Sequence, residues 1–154
     1  MKVNKSHHCV YNIHYHFVFP VKYRKGLLDR RIRSSFVEIC KEIEQRYHIE
    51  FEKIGVDTDH IHVLCSSIPR YSASRIITII KSITAIEIFK RFPGVKKELW
   101  GGEFWTDGYY VATIGEGGNK EVIERYIEKQ GKKPSEVQLE LFEMNKDTPP
   151  LGAG

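Results

Sequence analysis

The sequence lacks several features that would place it at once in a common class of protein. Its 154 residues include no apolar run long enough to span a membrane, and the first residues lack the apolar stretch of a signal peptide. The three cysteines are odd in number and form no CxxC pair, so neither a disulfide framework nor a zinc cluster is expected. The formal net charge is only +4, too small to indicate a nucleic-acid partner by composition alone. These absences indicate a cytoplasmic protein with reduced thiols and no membrane partner.

The hydrophobic pattern predicts one α+β domain over residues 1–146, followed by a flexible tail at 147–154. Apolar residues alternate where strands are expected and recur at helical spacing where helices are expected. The predicted elements are a strand at 9–21, a helix from Asp29 to His48, strands at 49–57 and 60–67, a helix from Ser72 to Arg91 and a strand near 109–114. This βαββαβ order is the ferredoxin-like (RRM-like) pattern, an antiparallel sheet with two helices on one face.

One further helix is predicted at about 119–130, after the last strand of the sheet. Asn119 is a suitable N-cap, and Gly131 is a suitable residue after the helix end. Tyr126 and Gln130 are four residues apart, so their side chains share a stripe that should be buried. An unpaired carboxamide on a buried stripe costs about 1–3 kcal/mol, so Gln130 should have a partner, either a metal ion or a backbone group.

A histidine pair marks the third strand of the predicted sheet. His60 and His62 are two apart, so both point to the face opposite Ile61 and Val63. The third strand is central in this topology, so both imidazoles should lie mid-sheet on the open face, away from the helices. Two imidazoles and a carboxamide can hold a divalent metal ion, and a tyrosine beside that ion can act as a nucleophile.

Each of these features also has an ordinary structural explanation. Histidine pairs occur on many strands, and His14 and His16 on the first strand form a second pair that spacing alone cannot distinguish from the first. A tyrosine on an apolar helix stripe is more often a core residue than a catalyst. What favours a catalytic site is the combination of the pair, the tyrosine and the carboxamide.

Four segments of the chain form a pattern more specific than the histidine pair alone. They are YNIHYHFVFPVKYRKGLL at 11–28, DHIHVLCSSIPRYSASRI at 59–76, LWGGEFWTDGYYVATIG at 99–115 and VIERYIEKQG at 122–131. In this order and spacing they resemble the small single-tyrosine HUH transposases of the IS200/IS605 insertion sequences. In that family the metal pair corresponds to His60 and His62, whereas His16 falls in the first-strand motif, which is not the metal pair.

The resemblance implies a set of active-site roles. His60, His62 and Gln130 would bind a divalent ion, Mg²⁺ or Mn²⁺. Tyr126 would be the nucleophile that forms a 5′-phosphotyrosine with single-stranded DNA. Family members act on hairpins at the ends of the element and form homodimers, in which the tyrosine helix of one subunit completes the site of the other. A helix docked on the histidines of its own subunit is the competing geometry.

Contacts with the DNA are expected at two further places. The turn after the first strand could contact phosphates through Lys22, Tyr23, Arg24 and Lys25. Before the second helix, Tyr71 could stack on an unpaired base with Arg70 beside it, although packing at the helix start explains Tyr71 equally well. Trp100 and Trp105 are expected in the core or at a dimer interface rather than as platforms for bases.

Three other functions are compatible with parts of this pattern. A domesticated relative that cuts host repeat hairpins would carry the same active-site residues. A replication initiator or relaxase would use the same chemistry, but those proteins are usually larger and often carry paired tyrosines. A non-catalytic single-strand binder on an RRM-like sheet should show aromatic residues, rather than histidines, on the open face of its central strands.

Overall fold

The computed structural model of the protein describes residues 4–6, 8–114, 124–125 and 127–128. Within these ranges the chain forms two sheets and three α-helices. In chain order the elements are β1 (Asn4–Ser6), β2 (Cys9–Tyr11), β3 (His14–Pro20), α1 (Arg30–Arg46), β4 (Ile49–Val56), β5 (His60–Ser67), α2 (Ala73–Arg91), α3 (Pro93–Glu98) and β6 (Tyr110–Ile114). A short 3₁₀ turn at Lys22–Arg24 follows β3.

The main sheet is antiparallel and has the strand order β4-β5-β3-β6. The two central strands are therefore β5 and β3. His62 of β5 lies opposite Val18 of β3 on one side and opposite Gly55 of β4 on the other. This is the strand order of the ferredoxin-like fold, so the predicted α+β class, the antiparallel sheet and the central position of the strand that carries His62 are confirmed.

Both long helices pack on one face of the main sheet. Their N-caps are Asp29 and Ser72, whose side chains accept hydrogen bonds at 3.0 Å from the backbone N–H groups of Ile32 and Arg75. The core consists of inward-facing strand residues and the buried stripes of the helices, among them Phe17, Phe19, Phe36, Ile39, Ile61, Val63, Cys65, Ile76 and Ile80. None of the helices described is both long enough and apolar enough to cross a membrane.

The first predicted strand, at residues 9–21, is two strands with different partners. β2 pairs with β1 in a separate two-stranded sheet, whereas β3 begins at His14 and joins the main sheet. At the break, Oδ1 of Asn12 accepts a hydrogen bond from Nε2 of His14 at 2.6 Å. A local side-chain bond of this kind competes with regular strand pairing, and the alternating apolar pattern runs through the break without marking it.

The helices differ from the prediction in two places. α1 ends at Arg46, two residues before the predicted His48. The short helix α3, which begins at Pro93, was not among the predicted elements. Proline is well suited to the first turn of a helix, because the N–H that it lacks has no partner there.

A turn of the predicted helix at 119–130 is described at residues 124–125 and 127–128, which are helical. Ile127 is buried, and Glu128 forms an ion pair with Lys53 of β4, with Oε1 and Nζ 2.7 Å apart. Lys53 lies opposite Leu64, outside the core formed with α1 and α2, so this turn docks on the other face of the sheet. The rest of that helix and the tail at 147–154 lie outside the described residues.

Candidate active site

Four histidines lie on the face of the main sheet that is turned away from α1 and α2. β3 contributes His14 and His16, and β5 contributes His60 and His62, because alternate residues of a strand share a face. The exposed fractions of these four residues are only 5%, 1%, 7% and 1%. These four residues are therefore buried, and the helical turn that carries Ile127 docks on the same face of the sheet.

His60 is the first residue of β5 and is held by a carboxylate. Its Nδ1 is 2.7 Å from Oδ1 of Asp59, and Oδ2 of Asp59 accepts a hydrogen bond from Nε of Arg24 at 3.3 Å. Burial opposes the ionisation of Asp59, but the hydrogen bond and charge of His60, together with Arg24, hold its pKa below the usual value. When Nδ1–H of His60 donates to this carboxylate, Nε2 is the lone-pair nitrogen of the ring.

His62 is held by a second imidazole. Its Nδ1 is 3.0 Å from Nε2 of His16, and the two rings are stacked with their centroids 5.2 Å apart. Burial lowers the pKa of His16 to about 4. Burial also lowers the pKa of His62 well below its usual value, and the nearby charges of His16 and His60 lower it further. Two neutral rings can share one proton, with one ring as the donor and the other as the acceptor. If Nδ1–H of His62 is the donor, Nε2 of His62 carries the lone pair.

His14 has a different set of partners. Its Nδ1 contacts Oε1 of Glu52, and its Nε2 donates to Oδ1 of Asn12 at 2.6 Å. Because both ring nitrogens face oxygen acceptors, this ring has no lone-pair nitrogen directed at another site. The structure thus distinguishes the two histidine pairs, which their spacing could not. Sequence reasoning missed the contact between His16 and His62, because it depends on the pairing register of β3 and β5.

The chemistry of this site fits a divalent ion held by His60 and His62. Their ring centroids are 5.2 Å apart, and each Nδ1 has a partner of the kind that orients metal-binding imidazoles. Within the part of the chain that the structure describes, no group of three or more histidine, cysteine, aspartate or glutamate side chains could hold a metal ion. A third donor therefore has to be another residue type, another part of the chain or the substrate. Gln130, the predicted third ligand, and Tyr126, the predicted nucleophile, lie outside the described residues.

The basic turn at residues 22–25 lies beside the histidine site. Arg24 reaches Asp59, with Nε and Oδ2 3.3 Å apart, and Asp59 is the residue that holds the first imidazole. Tyr23 is 58% exposed, whereas Lys22 and Lys25 are half-buried. Arg24 therefore connects the turn in which the sequence predicted DNA contacts to the candidate metal site.

Arg70 and Tyr71 lie beyond the opposite end of β5 from His60. β5 has eight residues, and at about 3.3 Å per residue its two ends are about 23 Å apart. Arg70 is exposed, whereas Tyr71 packs against the core and the guanidinium of Arg75 lies 5.1 Å from its ring centroid. The structure does not bring these residues to the histidine site, and their contact with DNA stays a prediction.

The two tryptophans occupy different environments. Trp105 is buried and its Nε1–H donates to Oγ1 of Thr84 at 2.9 Å, which makes it a core residue. Trp100 is 79% exposed and is not a core residue. Its φ of 54° places it in the left-handed region, and its ring is exposed although Leu99 and Phe104 on either side are buried.

The fold and the site together define an α+β protein with a ferredoxin-like sheet and a buried His-x-His pair on a central strand. Residues 9–130 match the family described as IS200-like transposases, and the chain belongs to this family. It is similar to the ISDra2 transposase TnpA of Deinococcus radiodurans, with 29% identity over 130 residues, 84% of this chain and 92% of the relative.

Two further relatives agree with this family. The transposase of insertion sequence element IS200 from Salmonella typhimurium is 29% identical over 123 residues, which are 80% of each chain. The fold is similar to a crystal structure assigned as a transposase of Deinococcus radiodurans R1. The TM-score is 0.68 at 28% identity, over 82% of this chain and 97% of that one.

Proposed function

We propose that this transposase cleaves and rejoins single-stranded DNA at the ends of an insertion sequence, through a covalent 5′-phosphotyrosine at Tyr126. The observation that carries the proposal is the buried pair of His60 and His62 on a central strand, each with its Nδ1 engaged, in a chain of the IS200-like transposase family. A sheet that only binds nucleic acid has no need for two oriented imidazoles.

His60, His62 and Gln130 would hold the divalent ion, Mg²⁺ or Mn²⁺. Such an ion polarises the scissile phosphate and offsets the charge that develops on it. Imidazole ligands favour Mn²⁺ over Mg²⁺, so availability decides which ion is used. The chain itself supplies the orientation: Asp59 fixes the ring of His60, and His16 fixes the ring of His62.

Tyr126 is the proposed nucleophile. Its phenolic oxygen attacks the scissile phosphorus, a new P–O bond forms, and the bond to the 3′ oxygen of the departing strand breaks to leave a free 3′-OH. The energy of the phosphodiester is kept in the phosphotyrosine, so a 3′-OH from another strand end can reverse the step and join the strands without ATP. The phenol has an ordinary pKa of about 10, so its proton has to leave during the attack.

The proposed substrate is single-stranded DNA that folds into hairpins at the element ends. The basic turn at 22–25 lies beside the site and would contact phosphates close to the point of cleavage. Arg70 and Tyr71 would contact a more distant part of the same DNA, because they lie beyond the other end of β5.

We include in the proposal a homodimer with composite active sites. The ion pair between Lys53 and Glu128 is made within one chain, and in a composite dimer the same two residues would pair between subunits. Mixing two inactive variants, His60→Ala and Tyr126→Phe, distinguishes the two arrangements. Composite sites restore one complete site per mixed dimer and recover cleavage, whereas sites built within one chain stay defective.

The histidine face also bears on the alternative functions. Alternate positions from 14 to 18 and from 60 to 66 carry histidine, valine, leucine and serine, without the aromatic residues that an RRM-like binder uses. A domesticated relative that cuts host repeat hairpins would share the catalytic residues, so it is the alternative that substrate tests must separate.

Metal-dependent cleavage tests this function. The purified protein is incubated with single-stranded oligonucleotides from the flanks of its gene, or with host repeat hairpins, in Mg²⁺, Mn²⁺ or EDTA. We expect cleavage of the flank strands that needs the ion, is lost in His60→Ala and survives in Ile86→Ala, a change on an exposed helix surface. Thermal melts serve as the control that the variants are folded. Cleavage that persists in EDTA or in His60→Ala would contradict the proposal, and cleavage of host hairpins alone would favour the domesticated relative.

A further inference from the structure

Two exposed aromatic rings contact each other beside the candidate active site. Tyr23 and Trp100 are 58% and 79% exposed. Their ring centroids are 5.5 Å apart, and the planes are inclined at 59°. Large aromatic side chains are usually removed from water when a protein folds, so a pair of them at the surface calls for a reason.

The turn and the loop that carry these rings are joined by hydrogen bonds on both sides. The backbone N–H of Lys22 donates to the carbonyl oxygen of Phe104 at 2.8 Å. Nζ of Lys25 donates to the carbonyl oxygen of Glu98, also at 2.8 Å. The rings are therefore held at a fixed place on the surface rather than carried on separate loops.

The backbone under the rings is strained. Tyr23, Arg24 and Trp100 have φ values of 60°, 51° and 54°, in the left-handed region that residues with a side chain adopt at an energetic cost. Glycine would remove that cost, but these positions carry two aromatic residues and an arginine. Strain of this kind persists mainly at functional sites.

Lysine side chains flank both rings. Nζ of Lys22 is 5.7 Å from the ring centroid of Tyr23, and Nζ of Lys25 is 5.5 Å from that of Trp100. An aromatic face bordered by cations has the chemistry that binds an unpaired nucleotide, because the base stacks on the ring and the cation pairs with the phosphate.

The aromatic pair is connected to the histidine site through Arg24. Arg24 follows Tyr23 in the chain, and its Nε is 3.3 Å from Oδ2 of Asp59. The other carboxylate oxygen of Asp59, Oδ1, is 2.7 Å from Nδ1 of His60. A strand whose phosphate lies at His60 can therefore extend along Arg24 toward Tyr23 and Trp100.

We propose that Tyr23 and Trp100 form a stacking platform for an unpaired base of the single-stranded DNA, next to the phosphate that is cut. This inference rests on the proposed function and deepens it, because it names which part of the strand the surface takes. It also departs from the expectation drawn from the sequence, which placed Trp100 in the core or at a dimer interface rather than as a platform for bases.

Tryptophan fluorescence observes the platform directly. The chain has two tryptophans, of which Trp100 is exposed and Trp105 is buried, so a stacked base quenches the emission of Trp100. The full-length Tyr126→Phe protein is titrated in EDTA with an oligothymidylate of about 15 nucleotides, the size of a long single-strand site. We expect quenching by the single strand, much less by a duplex of equal length, and none in Trp100→Phe.

The affinity gives a second readout. Trp100→Ala should weaken binding of the oligothymidylate about 5- to 150-fold, the range observed when a stacking ring is removed. Trp100→Phe should bind nearly as well as the parent, and Ile86→Ala, another exposed apolar residue, should not change the Kd. Stacking is not ionic, so the salt dependence should keep its slope in Trp100→Ala and fall by about one phosphate contact in Lys25→Ala.

Unchanged affinity in both Trp100→Ala and Tyr23→Ala would overturn the inference. So would a Trp100→Ala variant in which only self-association changes, measured by sedimentation, because the rings would then be an interface between copies of the chain. The binding assay uses no metal ion, so its result is separate from cleavage. If the wild-type protein cleaves DNA but these variants bind it normally, the platform is refuted and the proposed function stands. If the single strand quenches Trp100 but no cleavage occurs, the platform stands and the proposed function is refuted.

Discussion

His16→Leu removes the support of His62 without changing either candidate ligand. Nδ1 of His62 and Nε2 of His16 are 3.0 Å apart, and both side chains are only 1% exposed. Leucine is apolar and offers no acceptor, and the burial of the pair keeps water from replacing the lost bond. The substitution therefore acts on the orientation and tautomer of His62.

The expected loss of metal affinity follows from the loss of this hydrogen-bond partner. Removing the partner that orients a metal-binding imidazole weakens the metal about 10- to 100-fold, which is about 1.4–2.7 kcal/mol. If His62 keeps its tautomer, its buried N–H loses the acceptor on His16, at a cost of about 1–3 kcal/mol. If the proton moves to Nε2 instead, the lone pair faces away from the ion. Both responses weaken metal binding.

Isothermal titration of Mn²⁺ into the full-length wild type, His16→Leu and His16→Gln measures the effect. The glutamine oxygen lies as many bonds from the backbone as Nε2 of the histidine, so it can still accept from His62. We expect the leucine variant to bind Mn²⁺ about 10- to 100-fold more weakly and the glutamine variant to bind close to the wild-type value. Equal affinity in wild type and His16→Leu would mean that His16 does not orient His62 for the metal ion, and equal losses in both variants would show that only the packing of the ring matters.

Two other changes test single contacts of the fold and the site. Thr84→Val leaves the buried N–H of Trp105 unpaired, so it should lower the free energy of unfolding in urea by about 1–3 kcal/mol. Thr84→Ser keeps the hydroxyl and should not lower it. Equal stability of both variants would show that the hydrogen bond contributes little. Asp59→Ala should weaken Mn²⁺ binding about 10- to 100-fold, because His60 loses its acceptor, and Asp59→Asn should retain most of the affinity. An unchanged Kd in Asp59→Ala would mean that the carboxylate does not orient the ring.

Local sequence signals predicted the fold well where one interaction decides the outcome. The hydroxyl of Ser72 marked the start of α2, and the structure shows it accepting from the backbone of Arg75. The alternation of Ile61 and Val63 with two histidines fixed which face of β5 meets the helices. The break at Asn12 was not predicted, because alternation continues across it and only the partner strand changes.

Only part of the site was predicted, because local sequence signals do not give the register between strands. The pair of His60 and His62 follows from spacing within one strand, but the role of His16 depends on the register between two strands distant in sequence. The exposure of Trp100 was not predicted either, because it accompanies a backbone turn with a positive φ, whereas Trp105 a few residues later is buried. Contacts set by register and by backbone turns are therefore the ones that required the structure.

Covalent trapping shows directly whether Tyr126 is the nucleophile. Wild type and Tyr126→Phe are incubated with single-stranded oligonucleotides from the flanks of the gene and Mn²⁺, separated on a denaturing gel, and any adduct is mapped by peptide mass spectrometry. We expect a metal-dependent adduct on the peptide that contains Tyr126, absent in Tyr126→Phe although that variant still binds the DNA. Cleavage without any adduct, or an adduct that persists in Tyr126→Phe, would contradict the assignment of Tyr126 as the nucleophile.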